Sequence, residues 1–253
     1  TIITPEHGML ANGDDGDGRM PSEEVLLDYV LQELAFPKDL SGQTVLVTAG
    51  ATQEPMDPVR YITNHSTGKM GYAIAQNAAR RGESVTLISG KTTLPVPRFV
   101  QQFVPIVTAE ELHQAVVQHA AQCDLVIMSA AVADYRPTVV QTEKIKKHDT
   151  VSTLSLERTA DILAELGQNK RPGQYLCGFS METESLLENS RKKLEQKNLD
   201  LIVANNLKQP GAGFAIDTNL VTLLTKEETI SLPLLSKEAV AEQLLTFIQN
   251  HRA

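Results

Sequence analysis

The chain has 253 residues, 42% of them hydrophobic, and a formal net charge of −8 from 23 basic and 31 acidic side chains. That length suits one large α/β domain or one domain with an appendage. The acidic balance argues against non-specific nucleic-acid binding, so a phosphate ligand must be met by local basic residues and backbone amides. Tryptophan is absent and aromatic residues are 4%, too few for a platform that stacks single strands. No apolar run approaches the roughly 20 residues that span a bilayer, and the start does not read as a signal peptide. Cys123 and Cys177 lie in or beside apolar runs, which suits buried thiols in a reducing, cytoplasmic compartment.

Residues 1–41 read as an appendage. The glycine- and aspartate-rich run at 8–20 fails the EF-hand spacing: counted from Asn12, Gly16 falls where a third ligand belongs and Asp17 where the turn glycine belongs. It is expected to be a solvated loop. A short amphipathic helix follows over 22–34, capped by Ser22, and 37–42 is a linker. From Gln43 the pattern alternates. Strands are expected at 44–48, 84–88, 99–104, 124–128, 175–179 and 199–203, and helices at 69–81, 109–121, 160–167 and 185–197. Short βαβ units with β-branched strands imply a Rossmann-like α/β fold, a mostly parallel sheet with helices on both faces. A β-rich tail at 220–224 and 229–232 and a closing helix over 237–250 complete it. Residues 137–156, with the basic centre Lys144-Ile145-Lys146-Lys147, are too short and polar for another core unit. They read as a projecting β flap, and an exposed β arm often pairs with its own copy in a dimer.

The stretch from Val45 to Gly71 carries the strongest functional signal. A buried strand passes through a long polar loop to Ser66-Thr67-Gly68-Lys69, where a helix starts. A helix N-terminus after a strand is an anion site, because its first N–H groups are unpaired and carry the positive end of the dipole. The loop is not a P-loop: Thr63 stands where the first glycine belongs, and Met70 where Ser or Thr should hold magnesium. It is not a dinucleotide fingerprint either, since Gly50-Ala51-Thr52-Gln53-Glu54-Pro55 lacks GxGxxG. No tyrosine is followed four residues later by lysine, as a short-chain reductase would need.

Asn64-His65-Ser66-Thr67-Gly68-Lys69-Met70-Gly71, Ser129-Ala130-Ala131-Val132-Ala133-Asp134-Tyr135-Arg136-Pro137 and Glu143-Lys144-Ile145-Lys146-Lys147 closely resemble motifs of phosphopantothenate–cysteine ligase, bacterial type. That family is usually the C-terminal half of a bifunctional coenzyme A biosynthesis flavoprotein. The resemblance continues through Gly178-Phe179-Ser180, Lys193 to Asp200 and Ala204-Asn205-Asn206, and covers about 42–253. Residues 8–20 resemble the tail of the partner decarboxylase, with Asn12 where its catalytic cysteine usually stands. FMN and decarboxylation are therefore expected only of a domain upstream of this chain. Two departures are visible: Thr159-Ala160 where members often have Asn-Pro, and Asn206 where they often have Asp.

The resemblance implies joining 4′-phosphopantothenate to L-cysteine through an acyl-cytidylate, with CTP as co-substrate and Mg2+ or Mn2+ as cofactor. It implies catalytic roles for Asn64 and Lys144, and phosphopantothenate binding by Arg60, Asn64 and Ala131. Nucleotide binding falls to Gly50, Ser66, Gly68, Ala130, Asp134, Lys144, Phe179, Lys193 and Lys197, with Asp134 also a candidate for the metal. The chemistry is largely positioning and charge neutralisation. Lys144 is expected to reach the site from a second subunit. Two other readings keep the same fold: a nicotinamide-dependent reductase, and a non-catalytic nucleotide-binding module.

Overall fold

The computed structural model describes residues 2–146, 153–182, 185–206, 213 and 216–252. The chain opens with an antiparallel hairpin, β1 (Glu6–Met9) and β2 (Asp15–Arg19). The run expected to be a solvated loop is part of this hairpin. Leu10 and Asp14 close its turn through backbone bonds, and Gly13 supplies a φ of 88° there. Composition reports side-chain polarity, whereas the ladder is built from backbone groups. Helix α1 (Glu23–Leu34) follows, and the Ser22 hydroxyl accepts from Val25 N at its start. It docks through Tyr29, edge-on to Phe99 at 5.0 Å, and through Asp28, 2.9 Å from Arg80.

The body continues through β3 (Thr44–Ala49), β4 (Gln53–Pro55), β5 (Tyr61–Thr63), α2 (Lys69–Arg80), β6 (Ser84–Ser89), β7 (Gln102–Pro105), α3 (Ala109–Ala120) and β8 (Leu125–Met128). Then come β9 (Tyr135–Pro137), β10 (Leu156–Arg158), α4 (Ile162–Gln168), β11 (Tyr175–Glu182), α5 (Leu186–Gln196) and β12 (Leu201–Asn206). The tail holds β13 (Thr218–Asn219), β14 (Val221–Leu224), β15 (Thr229–Ser231), β16 (Leu235–Ser236) and α6 (Lys237–His251).

Eight strands form the central sheet in the order β7-β6-β3-β8-β11-β12-β14-β15. Neighbours from β7 to β12 are parallel, and β14 and β15 add antiparallel pairs. The parallel part is doubly wound: the chain starts in the middle at β3, builds outward to β7, then returns to β8 and builds the other way. That order puts a topological switch point between β3 and β8. Side chains alternate between two cores. Val45 and Val47 pack with Ile74 and Ala78 of α2 and Leu244 of α6, whereas Leu46 packs with Leu112 of α3, Ile162 of α4 and Leu194 of α5. Gly71 lets α2 lie on β3, since a Cβ there would stand 2.6 Å from Ala49 Cβ and 2.8 Å from Thr48 O.

One departure from the sequence reading concerns a connection. The polar loop after β3 contains a short antiparallel hairpin, β4 with β5. Each strand has three residues, below the length at which a period-2 pattern can be read. The expected flap leaves through an antiparallel pair, β9 with β10. Its described part then lies against the β4–β5 turn, where Gln141 N donates to Met56 O at 3.0 Å. Lys147 lies outside the described residues.

Glu83, at the step from α2 into β6, is 5% exposed, and neither carboxylate oxygen has a hydrogen-bond partner among the described residues. Burial pushes its pKa up to about 8 from an ordinary 4.5, against the pull of Arg252 and Arg81. The unfolded chain releases this proton near 4.5 and the folded chain near 8, so the native state holds the extra proton between them. Stability from this group is full below the unfolded value and is lost as pH rises through the folded one. E83Q removes the penalty. Chemical denaturation at pH 4.5 and pH 8 is expected to show the variant gaining on the parent by an amount on the order of a few kcal/mol across that window. A gain independent of pH would mean that the carboxyl ionises in place.

Candidate active site

A cavity of about 760 Å³ opens at the carboxyl ends of the parallel strands, beside the switch point. The loops after β3 and β8 build its wall. They are laced at backbone level: Ala131 N donates to Gly50 O at 2.8 Å and Thr52 N to Ala131 O at 3.3 Å. Two buried threonines add acceptors. Thr48 Oγ1 takes Ala130 N at 3.1 Å, and Thr52 Oγ1 takes Ala133 N at 3.0 Å. Alanines suit this loop because their small side chains let a ligand approach the backbone.

Asn64 follows β5 and reaches the same loop. Its Nδ2 donates to Ala131 O at 3.2 Å and Val132 O at 3.1 Å. The amide hydrogens point at backbone carbonyls, which leaves Oδ1 as the remaining polar atom of the side chain. Ser66, Thr67 and Gly68 lead into α2 at the cavity edge. Ser66 Oγ accepts from Gly68 N at 3.3 Å. Gly68 is the helix N-cap at φ 80°, and a Cβ there would stand 2.7 Å from Thr92 Cγ2. Backbone N–H groups of the first turn of a helix are natural anion donors.

The opposite wall comes from 158–163 and the carboxyl ends of β11 and β12. Lys197 pairs with Asp161, 2.8 Å away, and Asp161 caps α4 by accepting from Ala164 N. Four basic side chains, Lys69, Arg158, Lys197 and Lys237, face the cavity against Asp134 and Asp161. The cavity thus gathers basic side chains in an acidic chain, with Lys69 and Lys197 each paired with an aspartate. Lys237 is 5% exposed and desolvation draws its pKa down. Its Nζ donates to Gly213 O at 3.2 Å and Ile216 O at 2.5 Å. Lys69 Nζ lies 2.7 Å from Asp217 Oδ1. At the floor, Ser180 Oγ and Asn205 Oδ1 are buried without a hydrogen-bond partner among the described residues. Buried polar atoms of that kind in a cavity wall are ready to meet a ligand.

Of the residues singled out from sequence, the fold brings Asn64, Ser66, Gly68, Ala130, Ala131, Asp134, Phe179 and Lys197 to this cavity. Gly50 sits behind it, bonded to Ala131. Arg60, Lys144 and Lys193 do not line it. Arg60 is paired with Asp57 on the β4–β5 turn, Lys144 is exposed on the segment after β9, and Lys193 lies on α5. Neither Arg158 nor Lys237 is marked in the sequence, while Ser180, Thr48 and Thr52 fall in motifs or loops that the sequence singles out without a role of their own. The two departures from the family pattern fall nearby: Thr159 and Ala160 line the cavity, as does Asn205, next to Asn206. No spacing rule marks Lys237, which reaches the cavity from the first turn of the last helix.

Fold and cavity define the class: a doubly wound α/β protein with a cavity lined by basic side chains at the switch point. The chain belongs to the family described as the DNA/pantothenate metabolism flavoprotein C-terminal domain, which it matches over residues 40–251. It is 45% identical over 249 residues to the coenzyme A biosynthesis bifunctional protein CoaBC of Bacillus subtilis, covering 96% of this chain and 61% of that protein. A cysteine/cysteine sulfinic acid decarboxylase from an unknown prokaryotic organism is 40% identical over 249 residues, covering 96% of this chain and 69% of that one. The solved C-terminal domain of a CoaBC protein superposes with a TM-score of 0.72 at 43% identity, covering 84% of this chain and 97% of that domain. The chain spans about three fifths of the Bacillus relative's length.

The lacing makes a prediction. T52V keeps the shape of a fully buried side chain and removes the acceptor of Ala133 N. It should cost about 1–3 kcal/mol in denaturant unfolding, the penalty of an unsatisfied buried amide. A change below about 0.5 kcal/mol would mean that water replaces the hydroxyl.

Proposed function

We propose that this chain joins 4′-phosphopantothenate to L-cysteine, with CTP as the activating nucleotide, in coenzyme A biosynthesis. The observation that carries the reading is the convergence of Asn64, the start of α2 and four basic side chains on one cavity, in a chain 43% identical to a CoaBC C-terminal domain. In the first step a carboxylate oxygen of phosphopantothenate forms a bond to the α-phosphorus. The α–β bridging oxygen leaves with pyrophosphate. In the second, the cysteine amine forms the amide bond, CMP leaves with the acyl oxygen, and the amine's surplus proton passes to solvent.

Each step shifts negative charge between bound phosphates, which fixed N–H groups and lysines stabilise without reorganising. Within this reading Asn64, Arg60 and Ala131 hold phosphopantothenate. Gly50, Ser66, Gly68, Ala130, Asp134, Phe179, Lys193 and Lys197 hold the nucleotide, and Lys144 neutralises phosphate charge. Among the described residues no group of three or more His, Cys, Asp or Glu side chains could hold a metal ion. Mg2+ is usually carried by phosphate oxygens with one or two carboxylates, and Asp134, which lines the cavity, would supply one. Bound there, the cation would screen the triphosphate.

The same reading makes residues 1–41 the end of an upstream decarboxylase domain, where any FMN would bind. It pairs two copies through the 137–156 flap and places the protein in the cytoplasm. Two free buried cysteines support that compartment. Among the described residues no helix is long and apolar enough to cross a membrane.

A coupled pyrophosphate assay, run with CTP or ATP and with or without cysteine, tests the reading. Turnover with CTP that requires cysteine is expected. No pyrophosphate with either nucleotide would overturn it, and CO2 release from cysteine would move the chain to decarboxylation. N64D turns a donor into an acceptor against two carbonyls. It is expected to fold, by circular dichroism, yet lose roughly 100-fold or more in kcat, the scale of one lost transition-state hydrogen bond. K144Q should lower kcat/KM by about tenfold or more; wild-type kinetics would remove that lysine from the site.

A further inference from the structure

Asp57 lies in the turn between β4 and β5, and its side chain is fully buried. Its Oδ1 accepts from Val59 N and Arg60 N, both at 2.8 Å. Those two bonds complete an Asx turn, for which an asparagine would serve equally well. The second oxygen acts beyond the turn. Oδ2 accepts from Arg60 Nε at 3.0 Å and, 88 residues along the chain, from Ile145 N at 3.1 Å. Arg60 closes the ring by donating to Ile145 O at 3.0 Å. A buried carboxylate that gathers this many donors stays ionised, and the Arg60 guanidinium holds its pKa far below the usual range.

The hairpin that carries this ring is anchored at its other end in the cavity wall. Thr63 Oγ1 donates to Thr52 O at 2.7 Å, and Asn64 Nδ2 reaches Ala131 O. The β4–β5 unit is therefore a short rigid bridge. One end holds Asn64, and the other holds the guanidinium of Arg60 and the segment that carries Lys144. We propose that Asp57 is a positioning residue of the ligase: its Oδ2 sets Arg60 and residues 141–146 in place relative to Asn64. This rests on the ligase reading, in which Arg60 and Lys144 bind substrate.

D57N keeps the Oδ1 acceptor for the turn and replaces Oδ2 by a donor, which Arg60 and Ile145 N cannot use. I145P removes the amide hydrogen from the other side and leaves Asp57 intact. Both variants are compared with the full chain in two measurements. In ligand-free protein, trypsin cleavage after Lys144 and Lys146 should accelerate about fivefold or more, as the freed segment opens more often. In the ligase assay, KM should rise about tenfold or more for 4′-phosphopantothenate, held by Arg60, and for CTP, met by Lys144, while KM for cysteine stays within about twofold, a split that general destabilisation would not produce. Unchanged cleavage in both variants would overturn the proposal. So would faster cleavage with an unchanged KM for phosphopantothenate. A parent chain without ligase activity would refute the ligase reading and the positioning role with it, while the cleavage comparison still decides whether Asp57 fastens the segment.

Discussion

Two adjacent strands at the centre of a parallel sheet end side by side, and their chains must leave in different directions. The rest of the site depends on that constraint. After β3 the chain runs to α2, which packs in one core; after β8 it runs to α4, which packs in the other. The backbone of both loops is left at the rim of an apolar sheet, where each N–H and C=O must be paired. Gly50, Thr52 and Ala131 pair them with one another, and Thr48 and Thr52 supply the remaining acceptors. The pairing fixes a small-residue wall, and the start of α2 faces the cavity beside it.

Electrostatics follow from geometry more than from composition. The chain carries a net charge of −8, yet its cavity gathers four basic side chains against two acidic ones. Two carboxyl groups show how local donors decide protonation. Asp57 is buried in a turn with N–H groups converging on it and stays ionised. The Glu83 carboxyl is buried without a hydrogen-bond partner among the described residues, and its pKa rises to about 8. Desolvation acts on both, and only the supply of donors differs. The same rule tells a carboxylate that ties a turn to a distant segment from one that only weakens the fold at higher pH.

The core elements were legible because they are long and periodic. β3 is buried along nearly its whole length, and α2 carries small residues at helical spacing with Lys69 at its start. Most of the cavity wall was legible too, through motifs around Asn64, Ala130 and Phe179. The hairpins β1–β2 and β4–β5 were not, because polar strands of three to five residues owe their form to backbone pairing rather than to side-chain pattern. Arg60 reads as a ligand group in the sequence, while in the fold its guanidinium is shared between Asp57 and Ile145. Its partner 85 residues away is invisible to any local window.

The amino-acid sequence by itself determined the alternation of strand and helix, the parallel sheet, the start of α2 after a polar loop and the family. Each is a local matter of periodicity, capping or motif. Tertiary structure decided which residues meet. It brought Thr159, Ala160 and Asn205 into the cavity wall, aimed Lys237 at Gly213 and Ile216, and tied Asp57 to a segment 88 residues away. The reason is physical. Hydrogen bonds across a switch point join loops that only sheet order makes neighbours, and sheet order is set by how two hydrophobic faces are buried together.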